Sequence, residues 1–353
     1  MSDDPTPRAL GFRMPAEWEP HDATWVAWPH NREDWPGKLS SIHWVYVEIV
    51  RHLCRGELVR VITENGRQEA RIRGMLKQAR VGLSRVAFHR MATDRSWLRD
   101  SGPTFLTNDS ELGAACWRFN AWARYSDWKR DNKVADRVAG WAGARAWHPR
   151  HAGRRIVLEG GSVDVNGRGT LLTTEDCLLG TKQQRNPGLS KGQVEQILGD
   201  YLNARRVVWL GGGIVGDDTG GHVDDIARFV RPRTVVAAVE PNREDPNHAP
   251  LKQNLRRLRA ARDQDGRRLD IVELPMPRPL YFEHYRLPAS YANFYIANGL
   301  VLVPTFNDPN DRVALNTLEK LFPEREVVGI HSVDLAWGFG MVHCSTQQQP
   351  AVG

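Results

Sequence analysis

The segment Gly216–Asp225 holds the densest group of side chains that could move a proton or bind a cation. It reads Gly-Asp-Asp-Thr-Gly-Gly-His-Val-Asp-Asp, with four carboxylates and one imidazole in ten residues. His222 and Asp224 are two positions apart, so an extended backbone would point both side chains to the same face. A metal site with Asp217 and Asp218 is one interpretation, and a turn rich in Asx and glycine is another. The metal interpretation lacks a second His-rich segment to complete the coordination sphere.

The C-terminal segment Leu335–Gln349 offers a nucleophile. Cys344 follows an approach interrupted by glycines and lies beside His343. Glycines let the backbone come close to a ligand, so this cysteine is expected to be more accessible than one in a strand core. A buried, unreactive thiol is the alternative. The other cysteines lie in apolar surroundings and are interpreted as packing residues: Cys54, Cys116 and Cys177.

A third segment, Ser96–Pro103, contains Asp100 followed by turn residues. Alone, this aspartate could simply cap a helix or a turn. Together with the other two segments it completes the set that an attack on a guanidinium group requires. Asp100 and Asp224 could hold the planar fork of N–H donors from different sides. The thiolate of Cys344 would then attack the central carbon.

Periodic patterns indicate the elements that must position these groups. Apolar residues Ile42 to Leu53 follow Ser40 and Ser41 as candidate N-caps, and the strand-like run 58–63 comes next. Further helical patterns begin near residues 67, 131, 190, 249 and 311, several of them followed by β-branched runs at 206–210, 269–274 and 326–330. The repeat of about sixty residues predicts an α/β fold built from some five similar units, although chance alternation gives the same spacing. Units that each place a loop at one end would bring the polar clusters into a central site.

Composition narrows the class of protein. The chain has 353 residues, 41% hydrophobic, with a net charge of +6 that is carried mostly by arginine. We expect one domain over residues 1–353, with residues 1–13 as a flexible N-terminus, because no linker divides it. No apolar run is long enough to span a membrane and no signal peptide is evident, which favours a soluble, cytoplasmic protein. The basic segment 256–268 is interrupted by Asp263 and Asp265, so we interpret it as a solvated helix face and expect no nucleic-acid partner.

Motifs along nearly the whole chain resemble the agmatine deiminase and bacterial peptidylarginine deiminase family. They occur in the family's order, at residues 14–20, 27–30, 97–103, 119–122, 158–162, 216–219, 221–224 and 343–348. The resemblance implies the pentein fold, a five-bladed α/β propeller of ββαβ units around a central catalytic site. It also implies a hydrolase that needs neither metal nor organic cofactor.

By motif, Cys344 matches the family's nucleophile, His222 its general acid/base, and Asp100 and Asp224 its guanidinium-binding carboxylates. Glu159 and Asp218 lie in matching motifs and are candidates for holding substrate or orienting His222. Trp97, in the motif of Asp100, is a candidate pocket wall, with core packing as the alternative.

The sequence departs from the agmatine deiminase pattern at positions that bear on the far end of the substrate. These are Ala123 and Arg124, where Gly-Gly-Lys is usual, Gly220, where a polar residue is usual, and the approach Gly338–Met341.

The resemblance predicts hydrolysis of a small cationic guanidino compound to a ureido compound and ammonia, with agmatine to N-carbamoylputrescine, a step of putrescine biosynthesis, as the leading reaction. Arginine in a peptide is the alternative substrate. A catalytically idle guanidine- or peptide-binding protein and a metal-dependent hydrolase are the other classes considered. A homodimer is left open.

Overall fold

The computed structural model describes residues 5–353. Its strands are β1 (His21–Ala27), β2 (Leu58–Thr63), β3 (Val86–Arg90), β4 (Thr104–Thr107), β5 (Leu112–Ala115), β6 (Arg145–Trp147), β7 (Arg150–His151), β8 (Arg154–Arg155), β9 (Asp164–Val165), β10 (Thr170–Thr174), β11 (Arg206–Leu210), β12 (Ala227–Phe229), β13 (Thr234–Val239), β14 (Asp270–Pro275), β15 (Tyr281–Phe282), β16 (Tyr285–Arg286), β17 (Tyr295–Ala297), β18 (Leu300–Thr305), β19 (Glu326–His331) and β20 (Thr346–Pro350).

The α-helices are α1 (Leu39–Leu53), α2 (Gly66–Gln78), α3 (Leu98–Ser101), α4 (Val134–Ala142), α5 (Glu175–Leu178), α6 (Lys191–Leu202), α7 (His248–Ala260), α8 (Pro309–Leu321) and α9 (Val342–Ser345). Short 3₁₀ turns lie at Arg8–Leu10, Leu83–Arg85, Ala121–Ala123, Asp131–Lys133, Gly160–Ser162, Val223–Asp225 and Leu335–Gly338. None of the helices in residues 5–353 has the length and apolar character that crossing a membrane requires.

Five sheets repeat one topology. In each, an inner strand pairs antiparallel with a middle strand, and the middle strand continues through a helix to a parallel outer strand. The five sets are β4-β5-β6, β9-β10-β11, β12-β13-β14, β17-β18-β19 and β20-β1-β2, with β3 added to the last. The predicted α/β fold of five ββαβ units is therefore confirmed.

The units form a ring, and the two ends of the chain pair with each other to close it. The C-terminal strand β20 lies antiparallel to the N-terminal strand β1, with Thr24 opposite Gln348. Helices contact the outer strand of the preceding unit as well as their own sheet: α7 contacts β11, α8 contacts β14, and α1 contacts β19. Each inner strand is fully buried, whereas outer strands such as β14 and β19 are partly exposed. The inner strands therefore lie nearest the centre of the ring.

Four of the five predicted helix starts correspond to helices at equivalent positions of the repeated units, and the first, near residue 67, does not. Helices α4, α6, α7 and α8 each connect a middle strand to an outer strand. In the remaining unit that position belongs to α1, whereas α2, predicted near residue 67, leads to the additional strand β3. The regular spacing that includes α2 is thus partly coincidental.

Two local expectations at the chain's N-terminal side need correction. Helix α1 begins at Leu39, so Ser40 and Ser41 lie inside it, and the N-cap residue is Lys38, which makes no side-chain capping bond. Residues 1–4 of the expected flexible N-terminus lie outside the described part of the chain. The rest of that segment packs onto the body, because Phe12 is fully buried against the ring of Trp147.

Candidate active site

Four of the five units place a short helical turn just before the inner strand, and these turns meet at the centre of the ring. Helix α3 precedes β4, Gly160–Ser162 precedes β9, Val223–Asp225 precedes β12, and α9 precedes β20. Helix α3 contacts both α9 and Gly160–Ser162, which in turn contacts Val223–Asp225. The prediction that the polar clusters converge is confirmed, because pseudo-symmetry gives them equivalent positions.

Gly161 marks the point of convergence. A Cβ atom built at this glycine would lie 2.6 Å from Nδ1 of His222, 3.0 Å from Oδ1 of Asp100 and 3.0 Å from Oδ2 of Asp224. The Sγ atom of Cys344 lies 3.9 Å from the same Asp224 oxygen. The nucleophile, the imidazole and both carboxylates singled out from the sequence therefore occupy one small volume.

His222 lies between two carboxylates and is fully buried. Its Nδ1 is 3.7 Å from Oδ1 of Asp100, and its Nε2 is 3.7 Å from Oε2 of Glu159. These are ion-pair distances, too long for hydrogen bonds, and neither ring nitrogen has a hydrogen-bond partner among residues 5–353. Burial alone would lower the pKa of His222, but the charge of Asp100, with the nearby Cys177 and Glu159, raises it well above its usual value. The imidazole is therefore protonated at neutral pH.

Asp100 is held by two hydrogen bonds. The indole Nε1 of Trp122 donates to its Oδ2 at 2.9 Å, and the backbone N–H of Gly161 donates to its Oδ1 at 3.0 Å. Trp122 sits in a left-handed turn in which Ala121, Trp122 and Ala123 have φ angles of 49°, 58° and 52°. Residues with a Cβ are strained in this region, so the departure at Ala123 falls where glycine would cost less.

Asp224 belongs to a buried chain of charges that sequence reasoning missed. Its Oδ2 lies 2.7 Å from Nδ1 of His343, whose Nε2 lies 2.8 Å from Oε2 of Glu17. Glu17 in turn pairs with Arg228 at 2.8 Å. Burial would raise the pKa of Asp224, but the hydrogen bond with His343 and the charges of His222 and Arg228 outweigh it and lower that pKa. Glu17 lies in the motif at residues 14–20 and His343 is next to Cys344, so these two motifs could have indicated both residues.

Cys344 is nearly buried, with 6% of its surface exposed, at the wall of a cavity. The Nδ2 group of Asn293 donates a hydrogen bond to its Sγ at 3.2 Å, and Asn293 Oδ1 accepts one from the His343 N–H at 3.0 Å. Burial, together with the charges of Asp224, Asp225 and Asp100, raises the pKa of Cys344 well above its usual value. The resting side chain is thus a thiol. Asn293 was also missed, because its segment has no glycine-rich cluster to draw attention to it.

The cavity has a volume of about 450 Å³ and is lined by both carboxylate and aromatic groups. Cys344 and Asp100 line it together with Asp218, whose carboxylate accepts a hydrogen bond from the Tyr125 hydroxyl at 2.5 Å. Burial, with the neighbouring charge of Asp217, raises the pKa of Asp218 to about 6. At pH 7 a second negative charge therefore faces the same cavity as Asp100.

Trp97 also lines the cavity, as a pocket wall would, and is 95% buried, as a core residue would be. Gly340 lies directly against its ring, since a Cβ at Gly340 would come within 2.6 Å of Trp97 Cζ3. The glycine in the approach to Cys344 therefore makes room for a wall of the cavity.

Glu159 lies beside His222, and like His222 and Asp224 it is not among the residues that line the cavity. It is fully buried and pairs with Arg185, whose Nε is 3.2 Å from its Oε1. Burial would raise the pKa of Glu159, but Arg185 and His222 lower it, so the carboxylate is charged. Its pairing with Arg185 and its place beside Nε2 of His222 fit a role in orienting His222.

A group of possible metal ligands includes His222 but differs from the one considered from the sequence. Single ligand atoms of Glu159, Cys177 and His222 lie within 4.8 Å of one another, and all three residues are buried. Asp217, Asp218 and Asp224 are not members. Asp217 instead caps the turn, accepting hydrogen bonds from the backbone N–H groups of Thr219 and Gly221 at 2.8 and 2.7 Å.

The fold and site together define a class: a five-unit α/β ring whose centre joins a cysteine, a protonated imidazole and paired carboxylates is equipped to hydrolyse a guanidinium group. Residues 13–350 match the family model described as Porphyromonas-type peptidyl-arginine deiminase. The chain belongs to this family.

The chain is also similar to proteins named as agmatine deiminases. An agmatine deiminase of Pseudomonas aeruginosa is 38% identical over 98% of this chain and 97% of its own. The solved agmatine deiminase of Enterococcus faecalis superposes with a TM-score of 0.91 at 33% identity, covering 99% of both chains. That of C. jejuni has a TM-score of 0.80 at 27% identity, covering 96% of both chains.

Proposed function

We propose that this chain hydrolyses agmatine to N-carbamoylputrescine and ammonia by covalent catalysis. The observation that carries the substrate is the cavity that Cys344 and Asp100 share with Asp218. Agmatine has a guanidinium at one end and an ammonium at the other. Asp100 therefore faces the guanidinium beside Cys344, and Asp218 faces the ammonium. The four-carbon chain between them can lie against the aromatic side chains of Trp97 and Trp122.

The charge around the cavity supports a dication. Glu33, Asp127 and Asp218 line it together with Asp34, whose pKa burial raises to about 7, and the lining cation, Arg95, is already paired with Asp34 and Asp127. A peptidyl arginine would present a neutral backbone where agmatine presents its ammonium, leaving the charge of Asp218 without a cation from the substrate. The similarity to agmatine deiminases supports the same choice.

We assign the guanidinium to Asp100 and Asp224. Burial raises the pKa of Cys344, and these carboxylates raise it further because they repel a thiolate. A bound guanidinium neutralises them and adds a positive charge beside the sulfur. Substrate binding therefore favours loss of the thiol proton to solvent, at the moment when the thiolate is needed.

The first half of the reaction uses His222 as an acid. The thiolate of Cys344 attacks the guanidinium carbon to give a tetrahedral intermediate. His222, protonated in the resting site, gives its proton to the departing nitrogen, and the C–N bond breaks to release ammonia. An amidino thioether on Cys344 remains.

The second half uses the same imidazole as a base. Neutral His222 removes a proton from water as the water oxygen attacks the thioether carbon. Collapse of this second intermediate breaks the C–S bond, the hydroxyl proton passes to the leaving sulfur, and N-carbamoylputrescine leaves while the thiol is restored. Glu159 and Asp100, on either side of the ring, orient His222 in both steps.

Ammonia release measured across agmatine, free arginine, 4-guanidinobutyrate and a peptide with an internal arginine tests this proposal. We expect agmatine to have the highest kcat/KM, because it alone matches both charge sites. A preference for the peptide would move the substrate to peptidyl arginine while leaving the chemistry intact. Saturable agmatine binding without ammonia release would instead identify an idle binding protein.

A further inference from the structure

A second cavity, away from the active site, is lined by basic groups. It has a volume of about 840 Å³, and its basic lining residues are Arg118, His151, Arg154, Arg155 and Arg185. We call it the arginine groove. Within the described part of the chain no aspartate or glutamate lines it. This volume lies in the range of small-molecule binding sites, and the ionisable side chains of the lining are all basic.

The hairpin β7–β8 forms one side of the groove and pairs like with like. Arg150 lies opposite Arg155, and His151 lies opposite Arg154. Basic residues directly opposite each other destabilise a strand pair. The turn adds to this cost, because Ala152 adopts a left-handed φ of 47°. A bound counter-charge would offset the repulsion between the strands.

Three of the arginines that face the groove have no carboxylate partners among the described residues, although the guanidinium of Arg118 lies over the Trp128 ring at 5.5 Å from its centre. Over residues 5–353, no carboxylate lies within ion-pair distance of Arg118, Arg154 or Arg155. The buried Nε of Arg155 has no hydrogen-bond partner in the same residues, although its Nη2 donates to the carbonyl of Cys116 at 2.6 Å. The nearby Asp136 is bound to His148 at 2.6 Å.

The groove is distinct from the catalytic cavity. Arg185 lines it, but the guanidinium of Arg185 is bound to Glu159 and to the carbonyls of Gln183 and Thr219. Gln183 donates on to the carbonyls of Trp122 and Asp218, beside the catalytic cavity. The segment 183–186 therefore separates the two, and the free donors belong to Arg118, Arg154 and Arg155.

We propose that the arginine groove binds a small molecule carrying a chain of two or more phosphates. The planar guanidinium fork matches phosphate oxygens in pairs, and spaced arginines fit linked phosphates better than a single one. An inorganic pyrophosphate or a nucleoside triphosphate presents this shared chemistry. The site is independent of the deiminase reaction, so it does not depend on the proposed function.

Isothermal titration calorimetry of the full chain with pyrophosphate, ATP and inorganic phosphate tests the proposal. We expect one saturable site per chain for pyrophosphate or ATP, with inorganic phosphate at least about tenfold weaker. Binding of both indicates the phosphate chain as the recognised group, and binding of ATP alone adds the nucleoside. The double variant Arg118→Ser/Arg154→Ser should weaken binding about a hundredfold, since each charged hydrogen bond lost costs about tenfold.

A matched control is available on helix α2. Arg67 and Arg71 are exposed there, as Arg118 and Arg154 are, so Arg67→Ser/Arg71→Ser should leave binding unchanged. Cys344→Ala should also bind normally, because the groove is separate from the nucleophile. No saturable binding by any of the three anions, an equal loss in the control variant, or a single-stranded oligonucleotide binding far more tightly than ATP would overturn the proposal.

Discussion

Replacing Asp218 by Asn tests whether this carboxylate recognises the ammonium end of agmatine. The change keeps the size of the side chain and its contact with the Tyr125 hydroxyl, but removes the charge. A charged hydrogen bond of this kind contributes about 1.5–3 kcal/mol, equivalent to about a 10- to 100-fold rise in KM for agmatine. The value of kcat should change little, because the reacting carbon lies at the other end of the substrate.

The pH dependence sharpens this test. Because the pKa of Asp218 is raised to about 6, the carboxylate is charged above that pH and becomes neutral below it. Attraction for the ammonium is therefore present at pH 7 and is lost as the pH falls through 6. Other groups titrate in the same site, so the useful quantity is the ratio of kcat/KM for agmatine to that for pentylguanidine, which has a methyl group in place of the ammonium.

We expect this ratio, from steady-state ammonia release between pH 5 and 8, to fall below pH 6 in the native chain and to be low and flat in Asp218→Asn. Asp127→Asn is the control, since Asp127 lines the same cavity but is bound to Arg95. An unchanged agmatine KM in Asp218→Asn, or a ratio that still falls with pH in that variant, would refute the role of Asp218.

Three further substitutions test other parts of the account. Asn293→Leu removes the hydrogen bond to Cys344 Sγ together with those to Asp225 and the His343 N–H, and should lower kcat about 10- to 100-fold and also lower the melting temperature, because it leaves buried polar groups without partners; full activity would show that the bond to Cys344 is dispensable. Gly161→Ala should abolish ammonia release, because its Cβ would meet His222 at 2.6 Å, and an active variant would contradict the geometry. Ala123→Gly relieves a left-handed φ of 52° and should raise the melting temperature by about 1–3 °C in calorimetry, whereas Ala70→Gly, within exposed helix α2, should lower it.

Periodic and motif patterns predicted much of the fold. Helices α6, α7 and α8 begin within two residues of the expected starts because apolar spacing marks all three. Ser190 and Asp308 also form capping boxes at α6 and α8, whereas Asn247 makes no side-chain capping bond at α7. The first unit was harder, because its inner strand β20 comes from the far end of the chain. Pairing between strands so distant in sequence leaves no local pattern.

The predicted site residues Cys344, His222, Asp100 and Asp224 lie together, because each belongs to a distinctive motif at the same position of its unit. Their catalytic roles stay proposals. Residues that support them were harder to predict. Arg185 and Asn293 act through contacts that only the assembled ring creates, with Glu159 and Cys344 respectively. The left-handed turn at Trp122 was also invisible, since alanines occupy positions where a glycine would have indicated it.

The charges that give the chain its net +6 are unevenly distributed between the two cavities. The catalytic cavity is acidic within a basic chain, so a cationic substrate is attracted at short range despite the overall charge. Part of the excess arginine gathers in the arginine groove. Opposite charges therefore define the two cavities.

The covalent step on Cys344 is the central claim, and mass spectrometry of the acid-quenched reaction tests it most directly. His222→Asn should slow hydrolysis of the thioether, and because it also slows its formation, the quench is sampled from milliseconds to hours in both chains. We predict a peptide containing Cys344 that is heavier by the mass of agmatine less ammonia, with no such adduct on Cys177 and no turnover in Cys344→Ala. Ammonia release by Cys344→Ala at a rate near that of the native chain would contradict the account.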